Sequence, residues 1–564
     1  MTDRTVMQAS LWALALPLTV AAAGPAGAQA VPRLPSEVDI SRERVPLDVP
    51  PRSDFELRIQ TPEKSAVPRS VDELQFSIRA ITVEGAAHYP AAEVDAFFTP
   101  LVGRTITLEE LRDAAAHLEA RYREDGFFLT RVFVPPQQVK DGTLIVRVVE
   151  GHVSTVTIDA PDAATRRRLD AVLQPLVGRT PVRLADVEGR LLTINDMPGI
   201  NAMSVLRPGD ALGGTDLMLT SRTRPNAYQF SINNAASREL GPWTYGANAT
   251  INRPLGRIGA LDAALSVAGD LRELWSGSLR YAEPISASGL TASIGALAGV
   301  ARPGGRIRQL DVLSHVRSFS ARLRYPLLRG RAMSLFLDAG LALNSSKTDA
   351  LGQRIIADRQ TVAEATLIWQ QNGWGDGVTT ASASVFQGID AFGATARGSP
   401  LASVANFDPG FTRLSWLVQR SQRLPDRFSA YGVFQGQYTR DTLLSGEMVT
   451  FGGPGIGRAY DPSLIAGDRG IGGLIELRYD LATAFGPTLD HVQLYGFGDA
   501  ARATSLANGA LPKSVERLSS LGVGVRFDLL ERLRVDAYLA DARIAVPGMS
   551  QRDPRLVINI ALNL

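Results

Sequence analysis

The chain has 564 residues, with 59 Lys and Arg against 57 Asp and Glu, a formal net charge of +2, and no cysteine. The missing cysteines remove disulfides, thiolate nucleophiles and cysteine metal sites, and the five histidines are scattered without ligand spacing. Neither a cofactor, catalysis nor a nucleic-acid partner is expected, and a charge this near neutral says nothing about the charge of a cargo.

In chain order, residues 1–30 read as a secretory signal: Arg4 supplies positive charge, Leu11 to Ala23 is apolar apart from Pro17, and Ala28-Gln29-Ala30 offers a cleavage site. Residues 31–71 carry proline at 32, 35, 46, 50, 51, 62 and 68, which favours an extended linker, with room for a short helix around Pro35 to Arg44.

Two modules follow, at 72–150 and 151–222. In the first, Phe76, Ile78 and Ala80 alternate with Ser77 and Arg79, predicting a strand that continues through Ile81-Thr82-Val83 to Gly85. A helix is expected around Ala91 to Thr99. Leu108, Leu111, Ala115, Leu118 and Tyr122 then recur at helical spacing, behind a Thr107/Glu110 capping box and before Asp125-Gly126. Val132 to Pro136 and Leu144 to Glu150 read as strands. The same order returns at Val156–Ile158, Ala163–Leu173, Leu184–Ile194, Ala202–Arg207 and Thr215–Thr220. Pro100-Leu101-Val102-Gly103-Arg104-Thr105 recurs unchanged at 175–180, so the halves read as copies of one α+β unit. The hexamer is expected to shape a turn at Gly103 and Gly178, while exposed edge strands offer docking places for an extended polypeptide.

From 223 to 564 the period becomes two. Trp275, Gly277, Leu279 and Tyr281 alternate with Ser276, Ser278 and Arg280; Ala321, Leu323 and Tyr325 with Arg322 and Arg324; Ile475, Leu477, Tyr479 and Leu481 with Glu476, Arg478 and Asp480. The last stretch sets Leu556, Ile558, Ile560, Leu562 and Leu564 on one face. One polar and one apolar face fits strands with lipid outside and a polar lumen inside, closed so that no edge is left unpaired. Its 342 residues give about 21 for each of sixteen strands and their connections. Arg280, Arg322, Arg324, Glu476, Arg478 and Asp480 are the lumen-facing candidates. The fold class expected is therefore α+β modules followed by an antiparallel transmembrane β-barrel of sixteen strands.

Within the barrel region, residues 451–473 are rich in glycine, with Arg458, Asp461, Asp468 and Arg469 as charges that could pair with a polar wall. No Gly-Lys-Ser/Thr follows, so this is not a phosphate loop. If the segment folds inward, Arg458 needs a carboxylate, and Asp499 lies on a nearby strand in Tyr495-Gly496-Phe497-Gly498-Asp499.

Four stretches together resemble the outer-membrane transporters of two-partner secretion, the haemolysin and filamentous-haemagglutinin exporters of the Omp85 superfamily. They are the paired modules; Met197-Pro198-Gly199-Ile200 with Leu206 to Gly209 and Gly213 to Leu217; Arg324 to Arg331 running into Leu335 to Asp338; and Gly457 to Tyr460 with Gly467 to Gly470. The resemblance implies polypeptide-transport-associated (POTRA) domains in the periplasm and a sixteen-stranded barrel. It implies a monomer among outer-membrane lipids that captures an unfolded exoprotein bearing an N-terminal secretion domain and passes it through the lumen. It also implies an Arg458–Asp499 ion pair, with Gly457, Ala459, Tyr460, Asp468 and Arg469 forming the loop tip, and allows a plug helix in 31–71. Two departures stand out: Ala459 where the family has glycine, which disfavours positive φ, and Ala501 where glycine is expected after Asp499. A barrel insertase of the same superfamily would carry a different number of modules, and a diffusion porin would need none. A passenger domain or catalytic constellation, as in an adhesin or a surface enzyme, is not evident.

Overall fold

The computed structural model describes residues 57–59, 75–139, 141–481, 489–509, 511–530, 532–547 and 554–564. The expected signal and all of the 31–71 linker except Leu57–Ile59 lie outside them.

In the first module Ala80–Glu84 runs parallel to Thr143–Val149, which pairs antiparallel with Arg131–Phe133. The helix Leu108–Glu124 starts where the capping box puts it: Thr107 Oγ1 accepts from the Glu110 N–H at 3.2 Å, and Glu110 accepts from the Thr107 N–H at 2.8 Å. Leu111, Ala115, Leu118 and Tyr122 are buried along its length, each large side chain contributing roughly 1.5–3 kcal/mol.

The second module repeats the plan with His152–Asp159, helices Ala163–Leu173 and Leu184–Asn195, and strands Ile200–Pro208 and Gly214–Thr223. Both hexamers close the same turn. Gly103 donates its N–H to Ile78 O at 2.8 Å and Gly178 to Val153 O at 2.9 Å, with φ of +81° and +75°. A Cβ at either glycine would meet nothing within 4 Å, so positive φ, not space, is what demands glycine there. Strands not expected from the sequence include Leu57–Ile59, which joins the second module's sheet parallel to Ser204–Leu206, and Thr105–Thr107, which pairs with Gln75–Ser77 in a sheet apart from Ala80–Glu84, so that the stretch expected as one strand from Phe76 to Gly85 is two.

The modules are tied to one another. Leu184 donates its N–H to Gly126 O at 2.9 Å, Arg183 lies 5.0 Å from the Phe127 ring centre, and Phe128 and Leu129 pack on the second module's core.

Sixteen strands close a barrel, the first, Ala227–Asn233, pairing with the last, Arg555–Asn563. Its faces are inverted relative to a soluble sheet. In the twelfth strand, Arg469–Leu481, Ile475 is 70% exposed and Leu477 53%, while Glu476 between them is fully buried. Leu279, Ile294, Phe319, Val523 and Leu556 continue the exposed apolar surface on other strands.

The second module sits on the short turns at one end of the barrel. Arg329 grips Asp196 with both carboxylate oxygens, at 2.6 and 2.8 Å, Arg331 reaches Glu188 at 3.1 Å, and Arg253 meets Asp162 at 2.5 Å. Ile258, from a barrel turn, is part of the module's own core. Two of the sequence motifs thus meet here: Asp196 immediately precedes Met197-Pro198-Gly199-Ile200, and Arg329 belongs to the 324–331 stretch.

Asp196→Ala takes both carboxylate oxygens away from a largely buried guanidinium that keeps its contact with Ser334 Oγ, at a cost of about 1–3 kcal/mol. Amide exchange in the Leu184–Asn195 helix and around Gly330 is expected to rise roughly 10-fold, while the far end of the barrel is unchanged; equal exchange in the variant would remove Asp196 as the anchor. At Asp162 the Thr165 backbone N–H and the Arg253 guanidinium hold the carboxyl well below the usual carboxylate range. A lowered folded-state value means this contact stabilises at full strength above the unfolded pKa, and the stabilisation is lost progressively as pH falls through the lowered folded-state value. A spin-label distance between the Ala163–Leu173 helix and the barrel turn that carries Arg253 should therefore hold from neutral pH down through about 4, and broaden only well below it.

Candidate functional site

Residues between the eleventh strand, Phe428–Thr439, and the twelfth fold back onto the inside of the barrel wall. A small hairpin, Val449–Phe451 with Ile465–Gly467, carries the loop tip. The tight backbone falls at Gly452 and Gly457, with φ of +122° and +100°. A Cβ on Gly457 would lie 2.9 Å from Gly452 Cα and 3.0 Å from Leu518 Cδ1, so glycine is required by conformation and by space together. Ala459 is not among the positive-φ residues; its methyl group is buried in a cluster with Phe451, Ile456, Tyr460, Phe497, Leu518 and Tyr538. The expected difficulty at this alanine does not arise, because the left-handed turn is made two residues earlier. Ala501 is buried in the same cluster.

Arg458 and Asp499 do meet, though not as the expected ion pair. Asp499 Oδ2 accepts the backbone N–H of Arg458 at 3.2 Å, and its Oδ1 accepts from Ser520 Oγ at 2.5 Å. The guanidinium turns to Glu476, with Nη2 2.6 Å from Oε1, and Nε donates to Pro454 O at 3.2 Å. Nη1 is buried without a hydrogen-bond partner among the described residues; the group lies 4.6 Å from the Phe497 ring centre and 5.6 Å from that of Tyr538, whose π-faces take up its charge. The physical reason is placement. The residue opposite Asp499 on the twelfth strand is Leu474, so Glu476 stands one inward position further along, where the extended arginine side chain ends.

Glu476 is a hub. Arg478 Nη2 is 2.6 Å from its Oε2, and Arg526 reaches both oxygens at 3.1 Å. Arg526 also meets Asp536 at 3.0 Å, and Asp536 accepts from the Tyr495 hydroxyl at 2.6 Å. Three guanidiniums around one carboxylate are tolerable because Asp536 and Asp499 supply the remaining negative charge.

The other tip residues hold the loop by different means. Tyr460 is 1% exposed, and its hydroxyl lies 2.9 Å from Ser519 O and 2.7 Å from Ile544 O. Arg555, on the last strand, donates to Tyr460 O at 2.6 Å and meets Asp461 at 3.0 Å. Among the described residues Asp468 makes no ion pair with an arginine: its carboxylate accepts the N–H groups of Leu443 at 2.8 Å and Leu506 at 2.7 Å, joining two neighbouring loops. Arg469 donates to Thr439 O at 2.6 Å beneath the Tyr438 ring.

The lumen-facing candidates pair across strands. Arg324 is bidentate on Asp338 at 2.8 and 2.7 Å, Arg322 meets Glu364 at 2.5 Å, Arg280 meets Asp262 at 3.0 Å, and Asp480 accepts from Gln493 at 2.7 Å. Arg526, Asp536 and Arg555 were not foreseen as site residues. The alternation that marked Glu476 and Arg478 extends to Val525-Arg526-Phe527 and Val535-Asp536-Ala537, and would have put both charges on the lumen face; nothing local shows that they share one carboxylate's surroundings.

Residues 76–151 match the POTRA domain of ShlB type, and residues 213–527, more than half of the chain, match the haemolysin secretion/activation protein ShlB/FhaC/HecB. Among curated proteins the chain is 22% identical to the heme/hemopexin transporter protein HuxB of Haemophilus influenzae over 76% of each chain, and 25% identical to the outer membrane transporter CdiB of Escherichia coli over 36% of each. Among solved structures it is similar in fold to CdiB from Escherichia coli, with a TM-score of 0.70, 18% identity and coverage of 89% of this chain and 93% of that one. CdiB from Acinetobacter baumannii gives a TM-score of 0.60 at 15% identity, covering 90% and 94%. With its paired modules on a closed sixteen-stranded barrel, this chain belongs to the ShlB/FhaC/HecB family, outer-membrane transporters of two-partner secretion in the Omp85 superfamily whose N-terminal domains lie in the periplasm.

Proposed function

We propose that this protein acts as a monomer that captures an unfolded exoprotein, through that partner's N-terminal secretion domain, on its two periplasmic modules and secretes it through the barrel. The inward loop acts as the lock on the path. The observation that carries this reading is the loop itself: an arginine on its tip held by a buried carboxylate of the wall, in a lumen lined by paired charges, above modules anchored to the barrel's turns.

The chemistry asked of such a protein is modest. No ATP is available at the outer membrane, and folding of the client outside is enough to make transfer directional. What remains is capture, a polar path and a gate. For a chain to pass, the loop must leave the wall, which means parting Arg458 from Glu476 and releasing the Tyr460 hydroxyl and Arg555. The arginines on Glu476 that belong to the wall, Arg478 and Arg526, stay with it, so the carboxylate is not left bare when the loop moves. That arrangement favours a reversible lock over a permanent plug.

Arg458→Ala is expected to lower secretion of the partner exoprotein, or to change single-channel conductance, without preventing barrel insertion; an unchanged secretion rate would reduce Arg458 to an ordinary loop residue. Loss of outer-membrane barrel assembly with normal exoprotein export in a deletion strain would favour the insertase reading instead. The two carboxylates separate in a second experiment. Glu476→Gln weakens charge-assisted contacts worth about 1.5–3 kcal/mol, so proteolysis of the 451–473 loop should quicken ~10-fold or more. Asp499→Asn keeps an acceptor for the Arg458 N–H and should change it less than ~2-fold. The opposite order would return the main anchoring role to Asp499.

A further inference from the structure

The lumen arginines 280, 322 and 324 are paired with carboxylates on neighbouring strands; three cations on the outside of the barrel are not. The sixth, seventh and eighth strands, Leu313–Arg329, Met333–Ala350 and Gln353–Asn372, run side by side. On the sixth, Phe319 is 59% exposed and marks the outer face, while buried Val316 marks the inner one. Alternation therefore puts His315 and Arg317 outside, beyond Phe319, and the register carries that face across its neighbours. Arg317 is opposite Ser345, Ser345 is opposite Arg359, and His315 is opposite Lys347. Arg317 and Arg359 are exposed and Lys347 is half-buried. Among the described residues none of these three cations makes an ion pair, and Asp349, the acidic residue on the same face, is already held by Arg354 at 2.5 and 3.2 Å.

Their height in the membrane follows from the same strand. The outer face stays apolar from Phe319 to Leu327, which at about 3.3 Å per residue and a tilt of ~40° rises about 20 Å, most of an apolar band of ~25 Å. Just past its lower end, Arg329 grips Asp196 of the periplasmic module. Arg317 thus stands at the opposite rim, level with the headgroups of the outer leaflet.

We propose that Arg317, Lys347 and Arg359 form a binding site for the phosphorylated headgroup of an outer-leaflet glycolipid, whose acyl chains lie along Phe319 and Leu343. Two strand spacings set the Cα atoms of Arg317 and Arg359 about 10 Å apart, with Lys347 about 8 Å from each. Three long side chains at that spacing can converge on one phosphate, which guanidiniums bind through paired N–H donors. Ser345 stands between them as a further donor. A free anion or an acidic peptide would use the charges alone; a lipid also covers Phe319 and Leu343, 59% and 39% exposed, directly below them. The sixth strand is then held at both ends, by the module at Arg329 and by a lipid at Arg317, which fixes the depth of the barrel in the membrane. This site is independent of which client is secreted.

The test uses the full-length protein in a nonionic detergent, with diphosphoryl lipid A as the probe and native mass spectrometry measuring the lipid retained. Replacing Arg317, Lys347 and Arg359 together by Gln is expected to weaken retention at least ~30-fold, and any one alone about 5-fold. Arg317→Lys with Arg359→Lys keeps the charges and should cost less than ~5-fold. Arg543→Gln, at the same end of the barrel but with its arginine paired to Asp541, should change nothing. Lipid A stripped of its phosphates should be retained by the wild type no better than the probe is by the triple variant. With the wild type alone, raising salt from about 50 to 500 mM should weaken retention at least ~10-fold. Equal retention by the triple variant and the wild type, an equal loss in Arg543→Gln, indifference to salt, or displacement of the lipid by millimolar inorganic phosphate would each overturn the proposal.

Discussion

Lipid offers no hydrogen-bond partner to a backbone N–H or C=O, and the barrel is the consequence of that constraint. Once the first and last strands pair, every side chain on the wall must point either at lipid or at the lumen, which is why Ile475 and Leu477 lie exposed around a buried Glu476. Closure also gathers the charges of sixteen strands into one enclosed space. There they pair with their neighbours: Arg324 with Asp338, Arg322 with Glu364, Arg280 with Asp262. The polar path required for transport is thus a by-product of keeping the outer face apolar.

The loop depends on that wall for its position. Glu476 gathers arginines from its own strand, from the Ser514–Leu529 strand and from the loop tip. Such a cluster adds little net stability over a well-packed apolar one, yet removing one member costs about 3–5 kcal/mol, so it specifies one place for the loop more than it strengthens the barrel. Apolar packing around Tyr460, Phe497 and Tyr538 excludes water and sharpens the electrostatics. At the other end, the Asp196–Arg329 fork plays the same role between the second module and the barrel turns. Both joints of the molecule are therefore charge pairs set in apolar surroundings, which fix the register of the parts they join.

The chain's elements were legible wherever they follow from local spacing. The Thr107 cap, the Leu111–Tyr122 stripe, the duplicated turn at Gly103 and Gly178, and the alternation of Glu476 and Arg478 with Ile475 and Leu477 are all relations between residues a few positions apart, where backbone geometry leaves few choices. The apolar and polar faces then determine a membrane barrel, and the repeat determines two modules ahead of it. What the tertiary structure alone decided are contacts across long separations. Asp499 and Glu476 both face the lumen on neighbouring strands, and only the inter-strand register, with Leu474 opposite Asp499, brings the Arg458 guanidinium to one and its backbone N–H to the other. The positive φ at Gly457 instead of position 459 depends on how deeply the tip packs against Leu518. Asp196 and Arg329 lie too far apart in the chain for any periodicity to connect them, and Leu57–Ile59 is too short, among too many prolines, to show a strand's period before it finds the edge it pairs with. Periodicity settles which way a side chain points; register and docking settle what it meets there.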